Sequence, residues 1–498
     1  MPAQESPAST SSAGDPDHRR RRGPRYPPGT RHPRHNSWTS DPPGPIAIAS
    51  RYIHDFCRPP RPGLYPNRPR THPPRGSLEG PNKGANVLEH AIWWQVYPLG
   101  ALGAPIREDW RDTGEEHRLR KLGPWLDYVA QLGCNGILFG PLFESTTHGY
   151  DTTNHLRIDP RLGSNEDFDW LVAECRARGL HIILDGVFNH VGVRHPLTLA
   201  ALDGQPSPVI VADDGYPQHW EGHLDLAELD HANPATEDLV VEAMEFWLER
   251  GIAGWRLDVA YSVPTDFWAR VTDRVRARFP HAVFVGEIIH GDYLRLIDAG
   301  HLDSATQYEL WKGIWSSLKD RNLWELAHAL ERHDAFSADH RLQIFVGNHD
   351  VDRIASTLDD DGAAIAAAIL FSLPGIPSIY QGDEQAFRGM KGEGASSDDQ
   401  IRPPLPASPE ELSEFGWWMY RHYQELVAAR RRHPWLVDAR VEVLDKANER
   451  LSYRVTSRPG NAGCPGNLGE GSLTVTIDLT APSITLAFDD GDTVTYAG

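Results

Sequence analysis

A chain of 498 residues, 40% of them hydrophobic, has room for two or three domains, and this composition excludes a wholly disordered protein. The chain carries 49 Lys and Arg against 69 Asp and Glu, a formal net charge of −20, which argues against a protein that coats nucleic acid. Its four cysteines exclude a disulfide scaffold, and the absence of an apolar run of about 18 residues argues against a membrane-spanning helix or a membrane partner.

Residues 1–85 differ in composition from the rest of the chain. They hold 13 Arg and one Lys against six acids, and 18 of the 40 prolines. Such a segment has no apolar periodicity, so we expect a disordered Pro/Arg-rich tail. The first 30 residues also lack the apolar stretch of a secretory signal, which favours a cytoplasmic location.

Between residues 86 and 435, short apolar runs alternate with amphipathic stretches, a pattern typical of repeated βα units. The predicted strands cover residues 92–97, 136–139, 181–188, 253–259, 282–288, 305–308, 342–346 and 377–380. The predicted helices include residues 119–132, 165–178, 236–250, 264–279, 323–333, 363–373 and 410–432. Eight strands, each followed by a helical pattern, predict an α/β fold that closes into a (β/α)8 TIM barrel.

Two further regions are predicted around this barrel. Residues 191–235 follow the third strand and are too long for an ordinary βα loop, which indicates a small inserted subdomain over the barrel mouth. Residues 436–498 contain short alternating segments bounded by turns, which predict a C-terminal antiparallel β-domain.

Charged residues lie at the carboxyl ends of several predicted strands, where the chemistry of a TIM barrel is located. Asp185 is on the third strand, Arg256 and Asp258 are on the fourth, and Glu287 and Asp350 follow the fifth and seventh. Acids are costly to bury unpaired, so their convergence on one mouth indicates a function. Two such carboxyl groups are able to break a glycosidic bond, one as nucleophile and one as acid and then base.

The sequence around these residues resembles, in order, the signature motifs of the α-amylase family, glycoside hydrolase family 13. The matching stretches are residues 185–190 (DGVFNH), 254–258 (GWRLD), 286–287 (GE) and 345–350 (FVGNHD), with 148–151 (HGYD), 226–234 (LAELDHANP) and 375–384 (GIPSIYQGDE) beside them. The resemblance spans roughly residues 90–435.

The resemblance implies a role for each matched residue. It implies that Asp258 is the nucleophile, Glu287 the general acid and then base, and Asp350 the carboxylate that binds two sugar hydroxyls. It also implies substrate-binding roles for four further residues, and a structural role for Asp185 as a partner of Arg256. The four are Tyr150, His190, Arg256 and His349.

Departures from the family pattern bear on metal and substrate. Ser262 and Glu228 stand where calcium-dependent members usually carry His and Asp, so only Asn189 of that set is present. We therefore expect no cofactor and no metal ligand set, with calcium possible but unsupported by the motif positions. Thr147 replaces an Asp usual in the exo-acting α-glucosidase branch, and the subfamily is left open.

The predicted activity is that of a retaining glycoside hydrolase, an α-amylase-type glycosidase of carbohydrate metabolism. Its substrate would be an α-1,4-linked glucan of the starch type or a maltooligosaccharide. The alternatives are a transglycosylase or isomerising enzyme of the same family and, with less support, a non-catalytic binding subunit. Oligomeric state is left open by the sequence.

Overall fold

The computed structural model describes residues 87–107, 116–458 and 468–498. The predicted tail of residues 1–85 lies outside the described residues. No helix within the three described ranges is both long and apolar enough to cross a membrane.

Eight parallel strands form the central sheet: β1 (Trp93–Val96), β2 (Gly136–Phe139), β3 (His181–Gly186), β4 (Gly254–Leu257), β5 (Val283–Gly286), β6 (Ser304–Ala305), β7 (Gln343–Phe345) and β8 (Ile376–Tyr380). Their order is β6-β5-β4-β3-β2-β1-β8-β7. A parallel bridge between Thr306 and Gln343 joins the two edge strands and closes the barrel. The predicted (β/α)8 fold is therefore confirmed.

The α-helices of the described residues lie mostly between these strands. They are Pro98–Ala101, Gly123–Leu132, Asn165–Ala177, Pro196–Leu202, Pro234–Glu249, Thr265–Arg278, Tyr293–Gly300, Tyr308–Lys319, Trp324–Phe336, Ile354–Ser372 and Trp417–Arg432. The helix predicted for residues 363–373 begins nine residues earlier, at Ile354, and contains a non-helical Asp359 with a φ of 64°. The helix predicted to begin at residue 410 begins at Trp417, after short 3-10 turns.

The barrel interior is filled by apolar side chains from several strands. Trp93, Leu138, Ile183, Val285 and Ile376 belong to one buried cluster. Gly136 faces the Trp93 ring so closely that a Cβ atom there would lie 2.1 Å from it. Because side chains alternate along a strand, the residue two positions after an inward one also points inward, closer to the mouth.

Two inserted segments, one after β2 and one after β3, cover the carboxyl ends of the barrel strands. After β2, the short strand Phe143–Ser145 pairs with Thr152–Ile158 in a hairpin that sequence patterns did not predict. After β3, His190–Gly192 pairs with Leu226–Glu228, beside the helix Pro196–Leu202. The second inserted segment has its own small apolar cluster, which confirms the predicted insertion after the third strand.

The C-terminal region is a five-stranded antiparallel sheet. Its strands are β9 (Ala439–Lys446), β10 (Arg450–Ser457), β11 (Ser472–Asp478), β12 (Ser483–Phe488) and β13 (Thr493–Ala497), each paired with the next. The inner face of this sheet belongs to the same hydrophobic core as the barrel helices. The domain boundaries given above, residues 86–435 with the insertion 191–235 and residues 436–498, stay predictions.

Candidate active site

A cleft of about 1030 Å³ opens at the carboxyl ends of the barrel strands. Most of the predicted site residues line it: Tyr150, His190, Asp258, Glu287 and Asp350. Arg256 and His349 lie directly behind this lining and are buried. The structure thus brings together all seven predicted site residues.

Strand periodicity explains how the charged residues reach the cleft. Asp185 is two residues after the inward-facing Ile183, and Glu287 is two residues after the inward-facing Val285. Leu257 pairs with Gly286, so Asp258 and Glu287 follow at the next step of two adjacent strands. The apolar lower layers of the barrel therefore place these charges together at its mouth.

Arg256 is the common partner of three carboxyl groups. Its Nη1 atom donates to Asp185 Oδ1 and to Asp258 Oδ1, each at 2.8 Å. Its Nη2 atom lies 2.6 Å from Glu287 Oε1. One guanidinium therefore holds three acids together, and the predicted pairing of Arg256 with Asp185 is one part of a larger cluster.

The cluster contains three carboxyl groups but one guanidinium, and the pKa values of Asp185 and Asp258 are raised. Burial raises the pKa of Asp185 to about 7, although Arg256 opposes the shift. Burial also raises the pKa of Asp258 well above its usual value; Glu287 and Asp185 act in the same direction, and Arg256 in the opposite one. Because one guanidinium serves three acids, the cluster retains a proton more readily than an exposed set of carboxylates would.

The backbone after Asp258 is strained. Val259 has a φ of 40° and a ψ of 42°, in the left-handed region that β-branched residues rarely adopt. In this conformation its backbone N–H donates to Glu287 Oε2 at 2.9 Å. The strained residue therefore links the end of β4 to the carboxyl group at the end of β5, and such outliers cluster at active sites.

Asp350 and His349 form a second group on the other side of the mouth. His349 Nε2 lies 3.2 Å from Asp350 Oδ2, and its Nδ1 lies 3.1 Å from Gln95 Nε2. The ring of Tyr150 is nearly parallel to that of His349, at 5.9 Å between centroids, and its hydroxyl contacts His349 Nε2. Burial lowers the pKa of His349 to about 3, so this imidazole is neutral at neutral pH.

His190 lies on the wall formed by the inserted segment after β3. Its ring is stacked on Trp220 at 6.3 Å, and its Nδ1 lies 3.2 Å from Asn189 Nδ2. The Nε2 atom is buried and has no hydrogen-bond partner among the described residues. Burial lowers the pKa of His190 to about 3, so the ring is neutral at neutral pH.

Several residues of this site were not predicted from the sequence. The Tyr308 hydroxyl donates to Glu287 Oε1 at 3.2 Å and accepts from Asn348 Nδ2 at 2.9 Å. Tyr308 follows the sixth strand closely, and this position could have identified it from the sequence, because polar groups at strand ends face the mouth. Arg402 bonds to Asp350 and Trp220 lines the cleft, but both lie in long connections without a recognisable spacing. Tyr261 also lines the cleft and lies in the 3-10 turn Ala260–Ser262, three residues after Asp258.

The positions that would carry calcium ligands in calcium-dependent family members make other contacts here. Asn189 lies against His190, and Glu228 accepts a hydrogen bond from Gln218. Within the part of the chain that the structure describes, no group of three or more His, Cys, Asp or Glu is arranged to hold a metal ion. The expectation of no metal ligand set stays a prediction.

A parallel (β/α)8 barrel with carboxyl groups and an arginine from neighbouring strand ends is the architecture of a barrel glycosidase. The family model "Alpha amylase, catalytic domain" matches residues 119–209 and 216–415, more than half of the chain. This chain belongs to the α-amylase family.

Curated relatives match part of their own length. Alpha-amylase 2 of Dictyoglomus thermophilum is 30% identical over 326 residues, which cover 62% of this chain and 57% of that protein. A cyclomaltodextrinase of a Bacillus species is 30% identical over 343 residues, which cover 62% of this chain and 61% of that protein. The chain thus spans about three fifths of the length of these relatives.

A solved structure matches over a larger share. The cyclic α-maltosyl-(1→6)-maltose hydrolase of Arthrobacter globiformis superimposes with a TM-score of 0.67 and 23% identity. The match covers 83% of this chain and 99% of that one. At this identity the likeness shows the fold.

Proposed function

We propose that this protein is a retaining glycoside hydrolase that cleaves α-1,4-glucosidic bonds of starch-type glucans or maltooligosaccharides through a covalent glycosyl-enzyme intermediate. The observation that carries the proposal is the cluster of Asp258 and Glu287 on Arg256, at the floor of a cleft in an α-amylase-family barrel. Relatives named alpha-amylase and cyclomaltodextrinase support the substrate class.

In the first step, Asp258 attacks the anomeric carbon and forms an ester while Glu287 protonates the leaving glycosidic oxygen. In the second step, Glu287 takes a proton from water, and the water cleaves the ester. Arg256 orients both groups because it contacts each of them at 2.6–2.8 Å. Val259 N–H and Tyr308 contact different oxygens of Glu287, which fixes the plane of that carboxyl group.

The remaining residues suit binding of the sugar at the cleavage point. Asp350 would accept hydrogen bonds from two ring hydroxyls, and the neutral His190 and His349 would contact others. The partly exposed ring of Tyr150 offers a flat apolar face to the pyranose. These contacts become stronger in an oxocarbenium-like transition state, which is the condition for them to increase the rate.

A substrate panel tests the activity. The purified protein would be incubated with starch, pullulan, cyclodextrin, maltose, trehalose and sucrose, and the released sugars analysed over time. We expect products from one or more of the α-1,4-linked glucans and none from trehalose or sucrose. In a separate incubation with maltotriose, products longer than the substrate would indicate transglycosylation instead of hydrolysis. A panel without any product would contradict the proposal.

The anomeric configuration of the first product tests the mechanism. Neighbouring strands are about 4.8 Å apart, so carboxyl groups at adjacent strand ends suit the separation of roughly 5–5.5 Å that permits a covalent intermediate. An inverting pair needs roughly 6.5–9.5 Å. Proton NMR before mutarotation should therefore show the α-anomer first, and the β-anomer appearing first would contradict Asp258 as nucleophile.

The cytoplasmic location stays a prediction from sequence.

A further inference from the structure

Arg402 is the charged residue closest to Asp350 outside the family motifs. It belongs to the loop after β8 and is almost buried, with 8% of its side chain exposed. Its Nη2 donates to Asp350 Oδ1 at 2.8 Å, and its Nε donates to the His349 carbonyl oxygen at 2.8 Å. One guanidinium edge thus holds both the side chain of Asp350 and the backbone of the residue before it.

The guanidinium is itself fixed from two further directions. Its Cζ atom lies 4.4 Å from the centroid of the Tyr97 ring, which is stacked on His349. Asp398 Oδ2 accepts at 2.9 Å from Nη2, and Lys391 Nζ lies 3.3 Å from the other oxygen of Asp398. Arg402 therefore has little freedom to leave Asp350 for another partner.

The loop that carries Arg402 is also attached to the barrel. The Tyr380 hydroxyl donates to the Ile401 carbonyl oxygen at 3.0 Å, and the Leu405 N–H donates to the Ala101 carbonyl oxygen at 2.8 Å. Gly100 approaches so closely that a Cβ atom there would lie 2.5 Å from the Arg402 carbonyl oxygen. These contacts fix the backbone on both sides of the guanidinium, as a preorganised site requires.

We propose that Arg402 is a positioning residue that holds Asp350 ionised and aimed at the hydroxyls of the sugar undergoing cleavage. This inference rests on the proposed hydrolase function and goes beyond the motif residues. Burial alone would raise the pKa of Asp350, but the nearby positive charges of Arg402, Arg256 and Lys391 act in the opposite direction and the pKa lies below its usual value. An ionised, oriented acceptor lowers the barrier more than a mobile one, because no reorientation is needed during the reaction.

Kinetics of single and double variants test the proposal, with maltotriose as substrate. We expect Arg402→Met to lower kcat by about 10²-fold, the effect of a displaced reacting group, with a smaller change in KM. Arg402→Lys should recover at least a tenth of the wild-type kcat because it keeps the charge. In an Asp350→Asn background, Arg402→Met should cause little further loss, since a residue that acts through Asp350 has nothing left to position.

A control and a structural readout separate this role from folding. Arg388→Met removes a partner of Asp360 where both side chains are half exposed, outside the cleft, and should leave kcat unchanged. If Arg402→Met melts below the assay temperature, the Lys variant and its double variant replace it. Losses from Arg402→Met and Asp350→Asn that multiply would overturn the proposal.

Crystal structures of the wild-type protein and Arg402→Met complete the test without relying on turnover. The Asp350 carboxylate should rotate or shift in the variant, whereas an unchanged Asp350 beside a reduced kcat would show that Arg402 acts on the substrate directly. If no glucan of the panel is cleaved, the hydrolase proposal fails, but the position of Asp350 still decides the role of Arg402.

Discussion

Polar residues face outward in the C-terminal sheet, whereas at the barrel mouth charged residues are buried. In the sheet, β11 alternates regularly between inner apolar residues such as Val475 and Ile477 and outer ones such as Thr476. At the mouth, Asp185, Asp258 and Glu287 are buried around one arginine. The sheet follows the pattern that stabilises a fold, and the mouth departs from it.

This difference separates residues that stabilise the protein from residues that perform its chemistry. Three acids around one guanidinium repel each other, and burial of charge without full pairing is unfavourable. The left-handed Val259 adds backbone strain at the same place. Neutralising one of these acids should therefore spare stability and abolish activity, while removing apolar volume from the sheet should do the reverse.

The largest effect is expected from Asp258→Asn. The amide cannot form the ester, so turnover should fall by a factor on the order of 10⁴ to 10⁶. The melting temperature should not fall, because the variant removes one of the acids whose charge burial disfavours. Asp238→Asn, an exposed carboxylate on a barrel helix, is the control and should change neither quantity. Activity within about tenfold of wild type would exclude Asp258 as the nucleophile.

The opposite outcome is expected from Ile477→Ala in the C-terminal sheet. Ile477 is fully buried and shares a core with the barrel helices, so its truncation should lower the free energy of unfolding by about 2–5 kcal/mol. At temperatures below the unfolding transition, the kcat of this variant should stay close to that of wild type. Thr476→Ala, on the outer face of the same strand, should change stability little. Equal losses of stability from Ile477→Ala and Thr476→Ala would contradict the assignment of these residues to opposite faces of the strand.

Sequence patterns predicted those parts of the fold in which one physical rule dominates. The C-terminal strands follow a period of two and were predicted as an antiparallel β-domain, and the barrel strands are short apolar runs that were predicted within a few residues. The hairpin after β2 was missed because its two strands carry mixed burial without a regular alternation of apolar and polar residues. The early start of the helix Ile354–Ser372 was missed because three consecutive Asp residues interrupt its apolar pattern.

For the site, the predictable residues were those fixed to strand ends by the barrel itself. Asp258, Glu287 and Arg256 lie on neighbouring strands, so topology alone brings them together. Arg402 lies in a loop about 20 residues beyond β8, and its contact with Asp350 depends on how that loop packs on the barrel. A single sequence carries no periodicity for such a contact, which is why the positioning residue appeared only in the structure.

A smaller effect is expected from a buried histidine distant from the mouth. Burial lowers the pKa of His333 to about 4, below the 6.5 of a free histidine. Between these values the unfolded chain binds a proton that the folded chain does not, so stability is lost as the pH falls below 6.5. For this group the loss between pH 7 and pH 5 is about 2 kcal/mol.

His333→Gln should therefore reduce the loss of stability on acidification, measured by denaturant unfolding at both pH values. His328→Gln on the same helix is exposed and serves as the control. A variant that loses as much stability on acidification as wild type would show that His333 is not the group that takes up the proton.

The smallest effect is expected from breaking an ion pair on the C-terminal sheet. This pair resembles the one between Arg402 and Asp350 at the barrel mouth. Arg450 and Asp478 face each other across β10 and β11 at 2.9 Å, almost the distance between Arg402 and Asp350. Arg450, however, is 66% exposed, whereas Arg402 is 8% exposed. Water and salt screen the exposed pair, and ordering two long side chains opposes the small attraction. Arg450→Gln should therefore leave kcat unchanged and shift the melting temperature by less than about 2 °C, with no dependence on added salt beyond that of wild type. A larger shift that salt abolishes would show that the sheet depends on this pair, and would weaken the contrast between a pair whose arginine is exposed and one whose arginine is buried.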